Sequence, residues 1–428
     1  MVLGSSMRRT KKKLENKLVM QKTKLGWVVG GPMAAPAPQH VKCYLSSVTR
    51  LEEQLIKFWD IEELSKKKSL SLEEEACEAH FVENTTRDEN GRFVVKLPLK
   101  QNPSVLGDSK DQAEKRLIAL EKRLRHNEAL YKEYSAFLEE YEKLDHMRRI
   151  SDNEEQAYAY YMSHHCVIRA DSETTKLRVV FDASASTTNG LSLNDLQMTG
   201  PVMQSDLLSI LLRFRKHTYV IAADIAKMYR QVMLIPEQRP LQRIVWRERP
   251  EQKVETFELN TVTYGTTAAS FLVIRCLEQL ASECEEENPR IAKIIRRDFY
   301  VDDLLSGGES TEEIMSTAKE INKVLSGGCF ELRKWNSNSS EFRERFMDTN
   351  KAQAEIQIND GSKRTLGLIW RVKDDILTYS VNLPNNCQVT KRNILSIASM
   401  IFDPLGLLSP CTIIAKILIR TLWLEKLS

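Results

Sequence analysis

Two adjacent aspartates, Asp302 and Asp303, stand among apolar residues in the segment Phe299 to Leu305. Successive side chains of a strand point to opposite faces, so neighbouring carboxylates can serve one site only where a tight hairpin joins two strands. Such a bend concentrates negative charge in a small volume, which disfavours folding but suits the divalent cations of two-metal nucleotidyl transfer. The alternative is an ordinary surface turn, because aspartate is a common turn residue.

A third carboxylate follows the apolar run Tyr219 to Ala223, where Asp224 ends a predicted buried strand. A carboxylate in that position is costly to bury unless it binds a cation or a hydrogen-bond donor. The alternative is a helix N-cap, a position that aspartate favours. Three carboxylates can hold two magnesium ions about 3.5–4 Å apart. We therefore predict a metal site formed by Asp224, Asp302 and Asp303.

Four other positions are suited to a nucleotide. Arg178 lies on a predicted strand and has a planar guanidinium for a triphosphate, and Lys176 shares its strand face. Tyr229 follows Asp224 by one predicted helical turn and is placed to cover a nucleotide sugar, unless it is an ordinary core aromatic. Gly265 precedes a predicted helix, where the missing Cβ lets the backbone approach a ligand closely.

Composition sets wider limits on the class of protein. The chain has 428 residues, which exceeds one typical domain, and its net charge of +3 is too weak to indicate nucleic-acid binding by itself. The segment Arg8 to Lys24 is basic and is either a solvated tail or a nucleic-acid contact. The eight cysteines include no CxxC pair, which is typical of reduced intracellular thiols. We interpret His164, His165 and Cys166 as structural, because no second ligand pair follows at zinc-finger spacing.

The pattern of the chain indicates four parts. Residues 1–40 combine a short predicted strand with a proline-rich linker, and residues 41–158 are mostly helical, with two amphipathic helices near 113–124 and 130–144. Residues 159–345 are rich in short strands, and residues 346–428 begin with a hairpin and end in helices. The apolar run Cys411 to Leu424 contains Lys416 and Arg420, which favours a core helix over a membrane span. Strands with helices on one face predict an α+β palm.

A series of motifs in this order resembles those of retroelement reverse transcriptases. They are Lys176-Leu177-Arg178-Val179-Val180-Phe181-Asp182, Asp224 with Tyr229, Tyr264-Gly265, Tyr300-Val301-Asp302-Asp303, Leu332-Arg333-Lys334-Trp335 and Leu366-Gly367. Other phrases resemble the Pao/BEL class of long-terminal-repeat retrotransposons. They are Leu191 to Asp195 with Gly200-Pro201, and Thr390 to Arg392 followed by Asp403 to Gly406.

The resemblance implies an RNA-directed DNA polymerase core. Its fold would be a right-hand polymerase, with fingers and an antiparallel palm sheet in residues 159–345, a helical connector before it, and a partial thumb or connection in residues 346–428. Two Mg²⁺ ions, with Mn²⁺ as an alternative, would bind the three aspartates. The other implied roles are proton donation to pyrophosphate by Lys334, nucleotide contact by Lys176, Arg178, Tyr229 and Gly265, and a primer grip at Leu366, Gly367 and Trp370.

The implied partners are deoxynucleoside triphosphates and an RNA or DNA template–primer, without a membrane, in cytoplasmic retroelement particles. The segment Leu25 to Gly31 resembles the closing strand of the element's aspartic protease, but no Asp-Ser/Thr-Gly triplet precedes it. We expect the protease, ribonuclease H and integrase domains of the polyprotein to be absent from this chain. The alternative function is a non-catalytic retained fragment that binds nucleic acid or assists assembly.

Overall fold

The computed structural model describes residues 11–13, 19–23, 26–30, 70–151, 158–168, 177–349, 362–365, 368–379, 389–401, 403 and 405–425. The chain divides into two compact units, Met1–Ser69 and Leu70–Ser428. In the first, the strands β1 (Lys11–Lys13), β2 (Val19–Thr23) and β3 (Gly26–Gly30) form an antiparallel sheet in chain order. Strand β3 confirms the short strand predicted for this region.

The second unit begins with a mainly helical segment. Its elements are α1 (Leu72–Asn84), β4 (Thr86–Arg87), β5 (Phe93–Val95), α2 (Lys110–Leu124), α3 (Glu128–Lys143) and β6 (Met147–Ile150). Helix α1 starts at Ser71, which forms a reciprocal capping box with Glu74. Helices α2 and α3 confirm the two predicted amphipathic helices, because each buries its apolar stripe against the core.

Short strands and packed helices fill residues 158–349. They are β7 (Ser163–Ile168), β8 (Leu177–Asp182), α4 (Leu193–Leu196), α5 (Leu207–Phe214), β9 (Tyr219–Ile225), β10 (Met233–Leu234), β11 (Arg243–Trp246), β12 (Glu255–Leu259), α6 (Ala269–Cys284), α7 (Pro289–Arg297), β13 (Phe299–Tyr300), β14 (Asp303–Gly308), α8 (Thr311–Ser326), β15 (Leu332–Ser337) and α9 (Ser340–Thr349). With the strands of the preceding segment, they form a mixed α+β fold, as predicted.

Four strands form the sheet that positions the candidate site. The central sheet has the order β13-β14-β9-β15, and each neighbouring pair is antiparallel. The same unit contains smaller sheets with the orders β7-β8, β11-β12-β6 and β10-β5-β4. Strands β5 and β6 therefore belong to sheets whose other members include strands much later in the chain. Helices α6 and α8 bury apolar faces in the same core as the central sheet.

The last described elements are a three-stranded sheet and two helices. Strands β16 (Ser362–Thr365), β17 (Leu368–Arg371) and β18 (Ile376–Thr378) pair in chain order, and a second core cluster joins β17 to α5. Helices α10 (Lys391–Ser399) and α11 (Ser409–Leu424), the C-terminal helix pair, contain no buried residue among those described. Nowhere in the described residues is there a helix with both the length and the apolar character to cross a membrane.

Candidate active site

The hairpin of β13 and β14 carries the aspartate pair at its tip. Tyr300 pairs with Asp303 across the hairpin, so Val301 and Asp302 alone form its loop. This confirms the tight bend predicted from the sequence. Val301 has a φ of 54°, a conformation that is unusual for a β-branched residue and costs about 1–3 kcal/mol. A positive φ at the first loop position alone is typical of a type II′ turn.

Strand β9 places Asp224 beside this tip. Asp224 lies directly opposite Asp303 in the register of the two strands. Directly paired residues of antiparallel strands share a face of the sheet, with Cβ atoms about 4.5–5.5 Å apart. The backbone carbonyl of Asp302 accepts a hydrogen bond from the amide of Ile225 at 2.8 Å. The fold thus brings together the three predicted aspartates, here called the carboxylate cluster.

One basic side chain contacts the carboxylate cluster, and a second is close enough for its charge to act on it. The Nζ atom of Lys334 is 3.3 Å from Oδ2 of Asp224. Partial burial raises the pKa of Asp302 and the nearby charge of Asp224 raises it further, whereas a backbone hydrogen bond and the charges of Lys334 and Arg178 oppose the shift. The strand register, which places Asp224 beside the hairpin tip, accounts for the interaction between the two carboxylates. The cluster is therefore a site of negative charge with two cations in range.

A bulge in β15 accounts for the position of Lys334. The register between β15 and β9 shifts between Arg333 and Asn336, and Lys334 has a left-handed φ of 52°. A bulge of this kind turns a side chain away from the regular alternation of the strand. Here the Lys334 side chain is directed to Asp224. The motif in the sequence identified the lysine, but the bulge that directs it could not be read from the residues alone.

Metal binding by the carboxylate cluster stays a prediction. Among the described residues, no three His, Cys, Asp or Glu side chains are arranged to hold a metal ion. Asp224 is instead paired with Lys334. The donor chemistry nevertheless fits, because carboxylate oxygens from two adjoining strands are the ligands that Mg²⁺ prefers.

Tyr229 lies on a 3₁₀ turn, Met228–Gln231, that follows β9. Its half-buried ring meets the ring of Tyr264 edge-on, with centroids 6.1 Å apart. Its hydroxyl is 3.1 Å from the hydroxyl of Ser270 at the start of α6. These contacts fix the ring a few residues beyond Asp224, and its role beside a nucleotide sugar stays a prediction.

Gly265 is required for packing between two segments. Its φ is 99°, and a Cβ atom there would lie 2.3 Å from the carbonyl oxygen of Phe181 in β8. Its own carbonyl accepts a hydrogen bond from the side chain of Asn194 at 3.1 Å. The close backbone approach predicted for this glycine exists, but strand β8 is the partner seen here, and contact with a ligand stays a prediction. Arg178 is exposed on the same strand.

The predicted primer grip is described only in part, since Leu366, Gly367 and also Lys176 lie outside the described residues. Trp370 is fully buried and packs edge-on against Phe214 of α5, with centroids 5.3 Å apart. Its indole nitrogen donates a hydrogen bond to Asp375 at 2.9 Å. Trp370 therefore supports the hairpin of β17 and β18 from within, and its part in a primer grip stays a prediction.

An ion-pair group that the sequence analysis missed joins α3 to the turn that carries Tyr229. Glu140 of α3 accepts hydrogen bonds from Lys227 and from Arg230, the latter at 2.8 Å. The buried Arg230 guanidinium also lies 3.9 Å from the ring centroid of Tyr141. Nothing in the local sequence pattern shows that this glutamate of the helical segment meets residues beyond β9.

The His164, His165 and Cys166 segment has the structural role predicted for it. His164 is buried, and its ring nitrogens contact the Tyr134 hydroxyl and, at 2.9 Å, the carbonyl of Val245. A carbonyl only accepts, so Nε2 carries the proton and Nδ1 accepts from Tyr134. Burial lowers the pKa of His164 to about 4.

Comparison with known families gives a match at the end of the chain. Residues 390–428 match the family described as the Pao retrotransposon-like RNaseH-like domain, which supports an origin in a Pao retrotransposon polyprotein. These residues were expected to begin a thumb or connection, whereas the match relates them to an RNaseH-like domain. The carboxylate cluster lies outside the matched residues. No curated protein sequence matches the chain.

Proposed function

We propose that this chain is the RNA-directed DNA polymerase core of a Pao/BEL-class retrotransposon polyprotein. The observation that carries the proposal is the strand register that sets Asp224 opposite Asp303, with Asp302 in the adjoining turn. Nucleotidyl transfer requires carboxylates on a rigid sheet with basic side chains close to them. The origin supported by residues 390–428 agrees with this class of enzyme.

In the proposed reaction, the primer 3′-oxygen forms a bond to the α-phosphorus of a deoxynucleoside triphosphate. The bond between the α-phosphorus and the bridging oxygen breaks, and pyrophosphate leaves. Magnesium held by the carboxylate cluster would neutralise phosphate charge and favour ionisation of the 3′-hydroxyl, whose proton passes to solvent water. Lys334 supplies a proton to the departing pyrophosphate, and Arg178 holds the triphosphate. Most of the protein's contribution is positioning of the two substrates.

A non-catalytic fragment that binds nucleic acid is the second candidate. The Lys334 ion pair with Asp224 favours it, because an ammonium group takes a position next to a proposed metal ligand. Under the first proposal this pair must open when magnesium and nucleotide arrive. Under the second it persists, and the chain binds nucleic acid without extending a primer.

Primer extension on an RNA homopolymer with a DNA primer separates the two candidates. The first predicts DNA product that requires Mg²⁺ or Mn²⁺, that disappears with a chelator and that is absent for Asp224→Asn. Asp374→Asn is the matched control, because the Asp374 side chain is 59% exposed and lies in the turn between β17 and β18, outside the central sheet. Template–primer binding without product in the wild-type protein would establish the second candidate instead.

A further inference from the structure

The tip of the aspartate hairpin depends on a contact from another part of the chain. The Val301 amide donates a hydrogen bond to Oε1 of Gln204 at 3.0 Å. This N–H lies in the two-residue loop, outside the pairs that join β13 to β14. The bond therefore satisfies the Val301 N–H, which the strand pairing leaves without a partner. Val301 is also the residue with the strained φ.

The segment that contains Gln204 also contacts the base of the same hairpin. Arg213 of α5 lies 3.4 Å from the carboxylate of Asp298, which directly precedes β13. The backbone carbonyl of Asp298 accepts from Leu305, and its carboxylate accepts from Ser306 at 2.7 Å. Residues 204 to 213 thus contact both ends of the hairpin.

Helix α5 is itself well fixed. Its residues Ile210, Leu211 and Phe214 are buried in a core cluster with Val220 of β9 and Leu305 of β14. A packed helix of this kind moves little relative to the sheet that it covers. Gln204 lies in the bend three residues before this helix, so its amide reaches the hairpin tip from a segment that α5 anchors.

We propose that Gln204 is a positioning residue for the carboxylate cluster. Its amide oxygen holds the backbone of the Val301–Asp302 turn, and through that backbone it sets where Asp302 stands relative to Asp224. The consequence for activity rests on the proposed polymerase function, whereas the control of the turn does not. Small displacements of reacting groups cost large factors in rate, so loss of this bond should lower kcat about tenfold and leave KM for the nucleotide nearly unchanged.

Three variants test the proposal. Gln204→Met keeps the length of the side chain but removes the amide oxygen. Gln204→Glu retains an oxygen that accepts the Val301 bond. Val202→Ala is the matched control in the same segment, since Val202 is 91% exposed. Hydrogen–deuterium exchange of the peptide 299–305 reports on the turn, and single-nucleotide incorporation with Mg²⁺ gives kcat and KM.

We expect faster exchange and the tenfold lower kcat in Gln204→Met, recovery of the slow exchange in Gln204→Glu, and wild-type values in Val202→Ala. Unchanged exchange in Gln204→Met would overturn the proposal, as would a rise in KM at constant kcat. If the wild-type protein extends no primer, the polymerase function fails, and the exchange data alone decide whether Gln204 holds the turn.

Discussion

The central sheet buries its apolar side chains, whereas the C-terminal helix pair exposes them. Val220, Ile221 and Ala222 of β9 are fully buried, but Ile414 and Leu424 of α11 are each 69% exposed. The family match falls on the helix pair, and the carboxylate cluster lies on the sheet. The family match on the helix pair thus indicates the origin of the chain. The buried core of the central sheet, in a different region, supports a rigid site.

The largest effect should come from neutralising one carboxylate of the sheet. Asp302→Asn should lower primer extension about 10²–10³-fold, as expected when one charged group of a preorganised site is lost. The melting temperature should stay constant or rise, because removal of this charge relieves repulsion from Asp224. Steady-state kinetics and calorimetry on the same preparation check both parts. Activity within threefold of wild type would show that the Asp302 carboxylate takes no part in the reaction.

A truncation inside the sheet should destabilise the protein strongly. Leu304 is completely buried in β14, so Leu304→Ala should lower the free energy of unfolding by about 2–5 kcal/mol through lost burial and a cavity. Denaturant unfolding measures the change. A loss below about 1 kcal/mol would mean that the sheet is packed less closely than its burial indicates.

Acid should weaken the closed core through His164. Its folded-state pKa is about 4 against an ordinary value of 6.5, so below pH 6.5 the unfolded chain takes up a proton that the folded protein excludes. Stability from this group is complete above pH 6.5 and falls by about 2 kcal/mol on going to pH 5. Unfolding at pH 7.5 and pH 5 should show a smaller pH dependence in His164→Asn than in His165→Asn, which alters an exposed neighbour. Equal slopes would exclude His164 as the source.

Substitution of Tyr229 tests whether the protein discriminates between ribonucleotides and deoxynucleotides, rather than how fast it reacts. If its ring excludes a 2′-hydroxyl, Tyr229→Ala should raise incorporation of ribonucleotides relative to deoxynucleotides about tenfold. An ordinary core aromatic would instead give a less stable protein with the same ratio. Single-nucleotide reactions in which the two triphosphates compete measure the ratio of ribonucleotide to deoxynucleotide incorporation. Tyr229→Phe serves as the control for the hydroxyl contact with Ser270.

The smallest effect is expected in the helix pair. Ile414→Ala removes the same type of side chain as the truncation in the sheet, but from a position that is 69% exposed. The free energy of unfolding should change by no more than about 0.5 kcal/mol. A loss comparable to that of Leu304→Ala would show that this face of α11 is covered in solution, and the contrast between the two regions would disappear.

Local patterns predicted the aspartate hairpin, the strand that ends at Asp224 and the two amphipathic helices, because each depends on neighbours within one element. The register between β9 and β14, the bulge that directs Lys334 and the contacts of Gln204 and Glu140 depend on residues distant in the chain. No local pattern encodes them. Trp370 shows the same limit, since an apolar hairpin does not reveal which of its faces is buried.

The pairing of early strands with late ones bears on how the chain folds and how it can be divided. Strand β5 pairs with β10, and β6 pairs with β12, so the first segment of the second unit stays incomplete during synthesis until both later strands have emerged. Contacts of such wide sequence separation slow folding. A fragment that began after β6 would leave the edges of β10 and β12 open to pairing with other chains. The helical segment and the strands after it therefore form one cooperative unit that cannot be cut apart without risk of aggregation.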